Sequence, residues 1–241
     1  SVPSGAPTGL ALAHHLQEKL ADGQDISSDL IELATILERR VGREKVMHCI
    51  SQRLESLSPK GGLMAIPEFP WDSLYTTNFD TLTEKAFGRC SHPLVPIRSN
   101  YEYSRETEVG TKLFKIHGCI SQDRAFGNKS SMIITEDDYS SFAEFRRCLF
   151  QRLSLDFMSK SVLFLGYSLR DPHVRNEIKE ALKARTEGAP GQLYILSYER
   201  DEDRAAIWER QGVKVAFGGI DEFMSVLTNA NAAATPPIAP T

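Results

Sequence analysis

Asn78 in Tyr75-Thr76-Thr77-Asn78-Phe79-Asp80, His117 in Lys115-Ile116-His117-Gly118 and Ser168 in Gly166-Tyr167-Ser168-Leu169 each follow a short apolar run. These are side chains suited to polar catalysis. An imidazole, with an ordinary pKa near ~6.5, accepts a proton at neutral pH. A primary amide donates and accepts without carrying charge, while a hydroxyl or carboxylate can orient a bound polar group. Each residue also has a plainer role. Asn78 or Asp80 could cap a helix over Thr81 to Phe87, and a lone histidine is usually structural, which is how His14, His15, His48, His92 and His173 are read. Joint occurrence decides for a site, because ligands of open α/β sheets bind outside the carboxyl ends of the strands.

The elements that must position these residues follow from periodicity. Gly9 to Leu20 places Leu10, Ala13, Leu16, Gln17 and Leu20 on one face, and Leu30 to Leu37 and Val46 to Leu57 repeat the helical period, so the first third is helical. From Trp71 onwards the pattern changes to short runs rich in Val, Ile, Leu, Tyr and Phe. Ser73 to Thr77, Leu94 to Ile97, Lys112 to Ile116, Val162 to Tyr167, Leu193 to Ser197 and Val213 to Phe217 are predicted strands. Several are continuously apolar with helical segments between them, as in a parallel sheet covered on both faces. The predicted fold is α/β, a doubly wound, mainly parallel sheet with a helical N-terminal part and a helical insert. Asp171-Pro172 is expected to open a helix with Val174, Ile178, Ala181 and Leu182 as its buried stripe. Ile134-Thr135-Glu136-Asp137-Asp138-Tyr139 reads as a strand ending in a Thr-capped helix that continues to Phe157.

The blocks resemble those of the sirtuin-like family of NAD-consuming enzymes, specifically its bacterial branch in antiviral defence proteins. Sirtuins carry Thr-Gln-Asn-Ile-Asp, His-Gly and Gly-Thr-Ser-Leu at these strand ends. Here Thr77-Asn78-Phe79-Asp80, His117-Gly118 and Gly166-Tyr167-Ser168-Leu169 follow the same order and approximate spacing. The Thr-Glu-Asp-Asp-Tyr insert is also similar to the defence branch. The resemblance implies a Rossmann-like fold, NAD as substrate, and catalytic roles for Asn78 and His117. It implies dinucleotide binding by Thr77, Phe79, Asp80, Gly166, Ser168, Leu169 and Ser197, with Asp80 on the nicotinamide carboxamide and Ser168 at phosphate and ribose. Ser197 or Tyr198 would lie near the adenosine half. Ser1 and Pro3, in Ser1-Val2-Pro3-Ser4-Gly5-Ala6-Pro7-Thr8-Gly9, resemble the downstream half of the family's pyrophosphate-binding turn, whose strand and Gly-x-Gly are missing. That stretch could equally be a simple helix entry.

Nicotinamide leaves a pyridinium ribose as a neutral pyridine, so its release needs no general acid. The remaining tasks are to hold the ribose, support an oxocarbenium-like transition state and direct one water to the anomeric carbon. Asn78 suits the ribose hydroxyls or the water, and His117 suits the base. The expected activity is NAD+ glycohydrolysis, releasing nicotinamide and ADP-ribose and depleting cellular NAD+ in antiviral defence. Two rivals share the motifs: an NAD-dependent protein deacylase, and a non-catalytic NAD- or ADP-ribose-binding module of an oligomeric sensor.

Composition narrows the remaining classes. The 241 residues carry 28 basic and 32 acidic side chains, a net charge of −4, with no concentrated basic face to contact nucleic acid. No apolar run approaches the ~20 residues that span a bilayer, and the first residues lack the form of a signal peptide, so a cytoplasmic location without membrane contact is expected. Cys49, Cys90, Cys119 and Cys148 include no Cys-x-x-Cys pair, which deacylases normally carry in duplicate after His-Gly. No metal is expected, and the cysteines read as free thiols. Residues 1–228 are expected to form the catalytic domain, with the helical insert at about 121–160, and the Ala-, Pro-, Asn- and Thr-rich 229–241 a linker. The absent initiator Met, the start inside a motif and that tail lead to the expectation of a longer protein with a downstream sensor domain or partner protein; a homo-oligomer is also expected.

Overall fold

A computed structural model describes residues 2–124, 127, 131–166, 172–186, 188 and 190–234, excluding the side chains of 143, 172, 186 and 232–234. The chain divides into two compact units, one of Ser1–Lys60 and Pro67–Phe150, the other of Gly61–Ile66 and Gln151–Thr241.

The first unit opens with three helices, α1 (Gly9–Leu20), α2 (Leu30–Val41) and α3 (Arg43–Leu54). Thr8 caps α1 by accepting from the Ala11 amide at 3.2 Å, and Asp29 caps α2 through the Ile31 and Glu32 amides at 2.9 Å. Their buried stripes interlock through Leu12, Ala13 and Leu16, Leu33 and Leu37, and Val46 and Ile50. Leu10, expected on the buried face of α1, is 57% exposed, and Leu12 takes its place. Gln17 does face inward. Its Oε1 accepts from the Ile26 and Ser27 amides at 2.8 and 3.1 Å, so a polar side chain satisfies the loop that returns to α2.

Three parallel strands follow, β1 (Ser73–Thr76), β2 (Leu94–Ile97) and β3 (Thr111–Lys115), in the order β1-β3-β2. Thr76 of β1 is in register with Lys115, and Ile97 of β2 with Phe114. The short helix α4 (Leu82–Phe87) lies between β1 and β2 in the chain. The central strand is the most deeply buried, with Leu113, Phe114 and Lys115 each 1% exposed or less. The Tyr75 and Phe114 rings stack at 4.9 Å across the β1–β3 pair.

Helix α5 (Glu136–Ser159) begins in the first unit and ends in the second. Its start is a capping box: Thr135 Oγ1 accepts from the Asp138 amide at 3.2 Å, while Asp138 accepts from the Thr135 amide at 3.0 Å. The strand expected before it at Ile134 does not form. Residues 131–134 are a buried loop held by side chains, joined to the sheet side by one bond from the Ile133 amide to the His117 carbonyl at 2.9 Å.

In the second unit β4 (Val162–Leu165), β5 (Leu193–Ser197) and β6 (Lys214–Phe217) pair in sequence order, again all parallel. The intervening segments are α6 (Pro172–Thr186) and α7 (Glu202–Glu209). Val174, Ile178 and Ala181 form the buried stripe of α6 as expected, while Asp171 lies outside the described residues. The last helix, α8 (Ile220–Ala234), runs past Asn229, so the first part of the expected 229–241 linker is helical. The architecture is α/β, and every described strand pairing is parallel. Among the described residues no helix is long and apolar enough to cross a membrane.

Candidate functional site

Adjacency and register bring the two expected catalytic residues into one place. Beyond the Thr76–Lys115 pair the ladder continues by one bond, from the Ile116 amide to the Thr76 carbonyl at 3.0 Å. Both chains then leave the sheet at its carboxyl edge, one into Thr77-Asn78-Phe79-Asp80 and the other into His117-Gly118. A bond from the Ile120 amide to the Phe79 carbonyl, 3.0 Å, ties the two loops again further out.

Asn78 is exposed at the tip of its loop, its amide N–H donating to Thr76 Oγ1 at 3.0 Å. Thr77 and Phe79 are half-buried. Asp80 is 7% exposed, and its Oδ1 accepts from the Leu82 amide at 2.9 Å, the helix-entry role that competed with ligand contact.

The His117 ring is 6% exposed between two aromatic side chains. Phe79 is tilted against it at 6.5 Å, and Tyr139, from the first turn of α5, meets it edge to face at 5.7 Å. Tyr139 is half-buried, so a wall of the imidazole comes from the insert that the sequence marked only as a similarity. The glycine after His117 is a geometric requirement. Gly118 has φ +83°, and a Cβ there would lie 3.0 Å from Arg146 Nη2, 3.2 Å from Met132 Cα and 3.3 Å from the Ser131 carbonyl oxygen. Gly42 has nearly the same φ, +86°, with nothing within 4 Å. Gly42→Ala, at a ψ of 149° that puts the residue in the extended positive-φ region only glycine adopts easily, should report backbone strain alone, about 1–3 kcal/mol. Gly118→Ala should destabilise the protein by roughly 1 kcal/mol more, from overpacking. Urea denaturation of the two variants tests this, and equal losses would show that the close approach of Arg146 and Met132 carries no energy.

Two buried arginines and one buried lysine support these loops, and none of the three roles was read from the sequence. Arg43, at the start of α3, donates to Asp123 at 2.9 and 3.1 Å, to Asp138 at 3.0 Å, to Glu38 at 3.0 Å and to the Met132 carbonyl at 2.9 Å. Burial opposes its charge, but the Asp123 and Asp138 carboxylates more than offset this and raise its pKa above the ordinary value. Arg146 of α5 is 1% exposed and donates to the Ser131 carbonyl at 2.7 Å. Burial lowers its pKa to about 10, with Asp138, Glu102 and Asp123 acting in the opposite sense, so it remains a cation at neutral pH. Lys115, 0% exposed, reaches from β3 to donate to the Asp80 carbonyl and to Glu84 Oε1, the latter at 3.0 Å.

In the second unit Gly166 and Ser197 also stand at the carboxyl edge of their sheet. Gly166 has φ +59° and donates to the Leu196 carbonyl at 3.4 Å, and Ser197 Oγ donates to the Glu199 carbonyl at 2.7 Å. Ser1, Ser168 and Leu169 lie outside the described residues. Pro3 is exposed in a short 3-10 turn whose contacts run to the end of α3 and beyond it: Ser4 Oγ accepts from the Lys60 amide at 3.0 Å, and the Gly5 carbonyl accepts from Arg53 at 3.3 Å. With Thr8 capping α1, this stretch serves as a helix entry. Among the described residues no group of three or more His, Cys, Asp or Glu is placed to hold a metal ion.

The SIR2-like domain family matches residues 72–216, the stretch that contains both strand-end loops. Three proteins similar to this chain are named NAD(+) hydrolase ThsA. That of Enterococcus faecium is 29% identical over 162 residues, 64% of this chain and 32% of the relative. That of Cytobacillus dafuensis is 27% identical over 177 residues, 71% and 34% respectively. That of Acinetobacter baumannii (strain 532279) is 26% identical over 215 residues, 84% and 43%. The chain thus spans from about a third to just over two-fifths of the length of these relatives.

Proposed function

The chain belongs to the SIR2-like domain family, and from that premise we propose that it is the catalytic part of an NAD+ glycohydrolase that releases nicotinamide and ADP-ribose. The observation that carries this reading is the delivery of Asn78 and His117 to one place by adjacent, in-register parallel strands, in a chain whose relatives are named NAD(+) hydrolases.

In the reaction, the bond between the ribose anomeric carbon and the pyridinium nitrogen breaks, and its electron pair leaves with nicotinamide as a neutral base. A water oxygen bonds to the same carbon, and His117 accepts the proton that the water loses. Asn78, exposed at the loop tip, holds ribose hydroxyls or the water by donating and accepting at once. The half-buried rings of Phe79 and Tyr139 exclude bulk solvent around the imidazole. The supporting ligand set at the nicotinamide side is Thr77, Phe79 and Asp80. No metal enters the scheme. Loss of NAD+ would halt the metabolism of an infected cell, which suits an antiviral role in the cytoplasm for a homo-oligomer that works with a downstream sensor domain or partner protein.

Incubation of the purified protein with NAD+ and chromatography of the products is the test. Equimolar nicotinamide and ADP-ribose are expected without any added peptide. Release of nicotinamide only with an acyl-lysine peptide would identify a deacylase, and binding without turnover would identify a sensor module. Either outcome overturns the proposal.

A further inference from the structure

Arg43 occupies a position that helix energetics disfavour. A cation in the first turn of a helix opposes the macrodipole, yet Arg43 begins α3 and its side chain is only 5% exposed. Three carboxylates converge on it, from Glu38 at the end of α2, Asp123 beyond β3 and Asp138 in α5. Its partners, rather than α3, explain its placement. Both polar groups of the Met132 backbone are held by this cluster, the carbonyl by Arg43 Nη2 at 2.9 Å and the amide by Asp123 Oδ1 at 2.7 Å. Ser131, one residue earlier, is held by Arg146 at 2.7 Å. The segment fixed in this way then makes the bond that matters to the site, from the Ile133 amide to the His117 carbonyl at 2.9 Å.

A second route reaches the same imidazole. Asp138 accepts from Arg43 and from the Ile134 and Thr135 amides, at 3.0 to 3.2 Å, which sets the first turn of α5. The next residue is Tyr139, whose ring stands edge to face with His117. Arg43 therefore governs the histidine through its backbone carbonyl and through its ring neighbour.

We infer that Arg43 is a positioning residue for His117, acting through Met132–Ile133 and Asp138–Tyr139 to fix the imidazole for proton transfer. The kinetic side of this inference rests on the glycohydrolase reading. The geometric side does not.

Arg43→Lys keeps the charge but cannot hold the Asp123 carboxylate and the Met132 carbonyl in one planar fork. The expected result is a fall in kcat of about ten- to hundredfold from a misplaced base, with KM for NAD+ within about twofold of the wild type. In the His117→Ala background the same substitution should change the residual turnover by less than about twofold, since its effect passes through the absent imidazole. An equal fold loss in both backgrounds would mean that Arg43 only maintains the active fraction, and would overturn the inference. Histidine-labelled NMR gives a readout independent of turnover. The His117 ring resonance is expected to shift or broaden in Arg43→Lys while that of His92 stays in place, and an unchanged His117 resonance would also overturn the inference. A protein that leaves NAD+ intact thus removes the glycohydrolase reading, while the ring resonance still decides the role of Arg43. Should Arg43→Lys fail to fold, Asp123→Asn, which retains an acceptor for the Met132 amide, undergoes the same measurements.

Discussion

Turnover of NAD+ is expected to fall at least ~100-fold in His117→Ala and in Asn78→Ala, the lower end for loss of a positioned acid–base or orienting group. The two losses should differ in kind. His117 lies in the buried wall of its loop, 6% exposed, so its removal takes away the proton acceptor and leaves the ligand-facing surface largely intact. The loss should appear in kcat, with KM nearly unchanged. Asn78 is exposed at the loop tip, where its amide would meet ribose in the bound state and hold it more strongly in the transition state, so kcat and KM should both change. Its backbone amide bonds to Thr76 Oγ1 and is retained in alanine, so the loop should keep its shape. Steady-state kinetics beside circular dichroism decides the matter. A folded variant with wild-type turnover would remove that residue from the mechanism.

Lys115→Met should be strongly destabilising. The ammonium is 0% exposed and serves the Asp80 carbonyl and the Glu84 carboxylate together. Methionine matches its length without donating, leaving a buried carbonyl and a carboxylate unpaired. Breaking a buried ion pair by removing one partner costs about 3–5 kcal/mol. The Glu84 side chain, 18% exposed, recovers some hydration, so a loss of about 3 kcal/mol is expected, at the lower end of that range. Adding Glu84→Leu should return part of it, because two apolar groups then replace the pair. Urea denaturation of both single variants and the double variant provides the measurement. A loss below about 1 kcal/mol in Lys115→Met, the scale of an ordinary hydrogen bond, would show that the ammonium is not needed to tie Asp80 to β3.

The strands were legible because each is a short run rich in branched and aromatic residues. All six lie within two residues of the predicted spans, from Ser73–Thr76 to Lys214–Phe217. Their delivery of Asn78 and His117 to one sheet edge followed from the same reading. What escaped depends on contacts that periodicity does not encode. Arg43 meets Asp123 and Asp138 at separations of 80 and 95 residues, and nothing near it in sequence announces either. The expected strand at Ile134 is apolar enough to be one, but Asp123, Asp138 and Arg43 satisfy backbone groups that a ladder would otherwise have paired. Leu10 misled for a smaller reason: it stands one turn from the buried Ala13, as Leu12 stands one turn from the buried Leu16, and only the packing of α1 on its neighbours selects the Leu12 side. Beyond Asn229, the lack of core-forming residues suggested a linker, yet alanine has the highest helix propensity, and α8 continues to Ala234 without needing a core.

The order β1-β3-β2 has a consequence for synthesis. Among the described strands the first two made are not neighbours, and each pairs with Thr111–Lys115, which arrives between them. Until then β1 and β2 emerge with unpaired edges, the state most prone to joining strands of another chain. Insertion of the central strand closes both gaps in one step. The same step sets the His117 loop beside the Asn78 loop, so the chemistry-bearing pair comes into being only with the sheet, and no partly made chain ending before residue 111 can carry it.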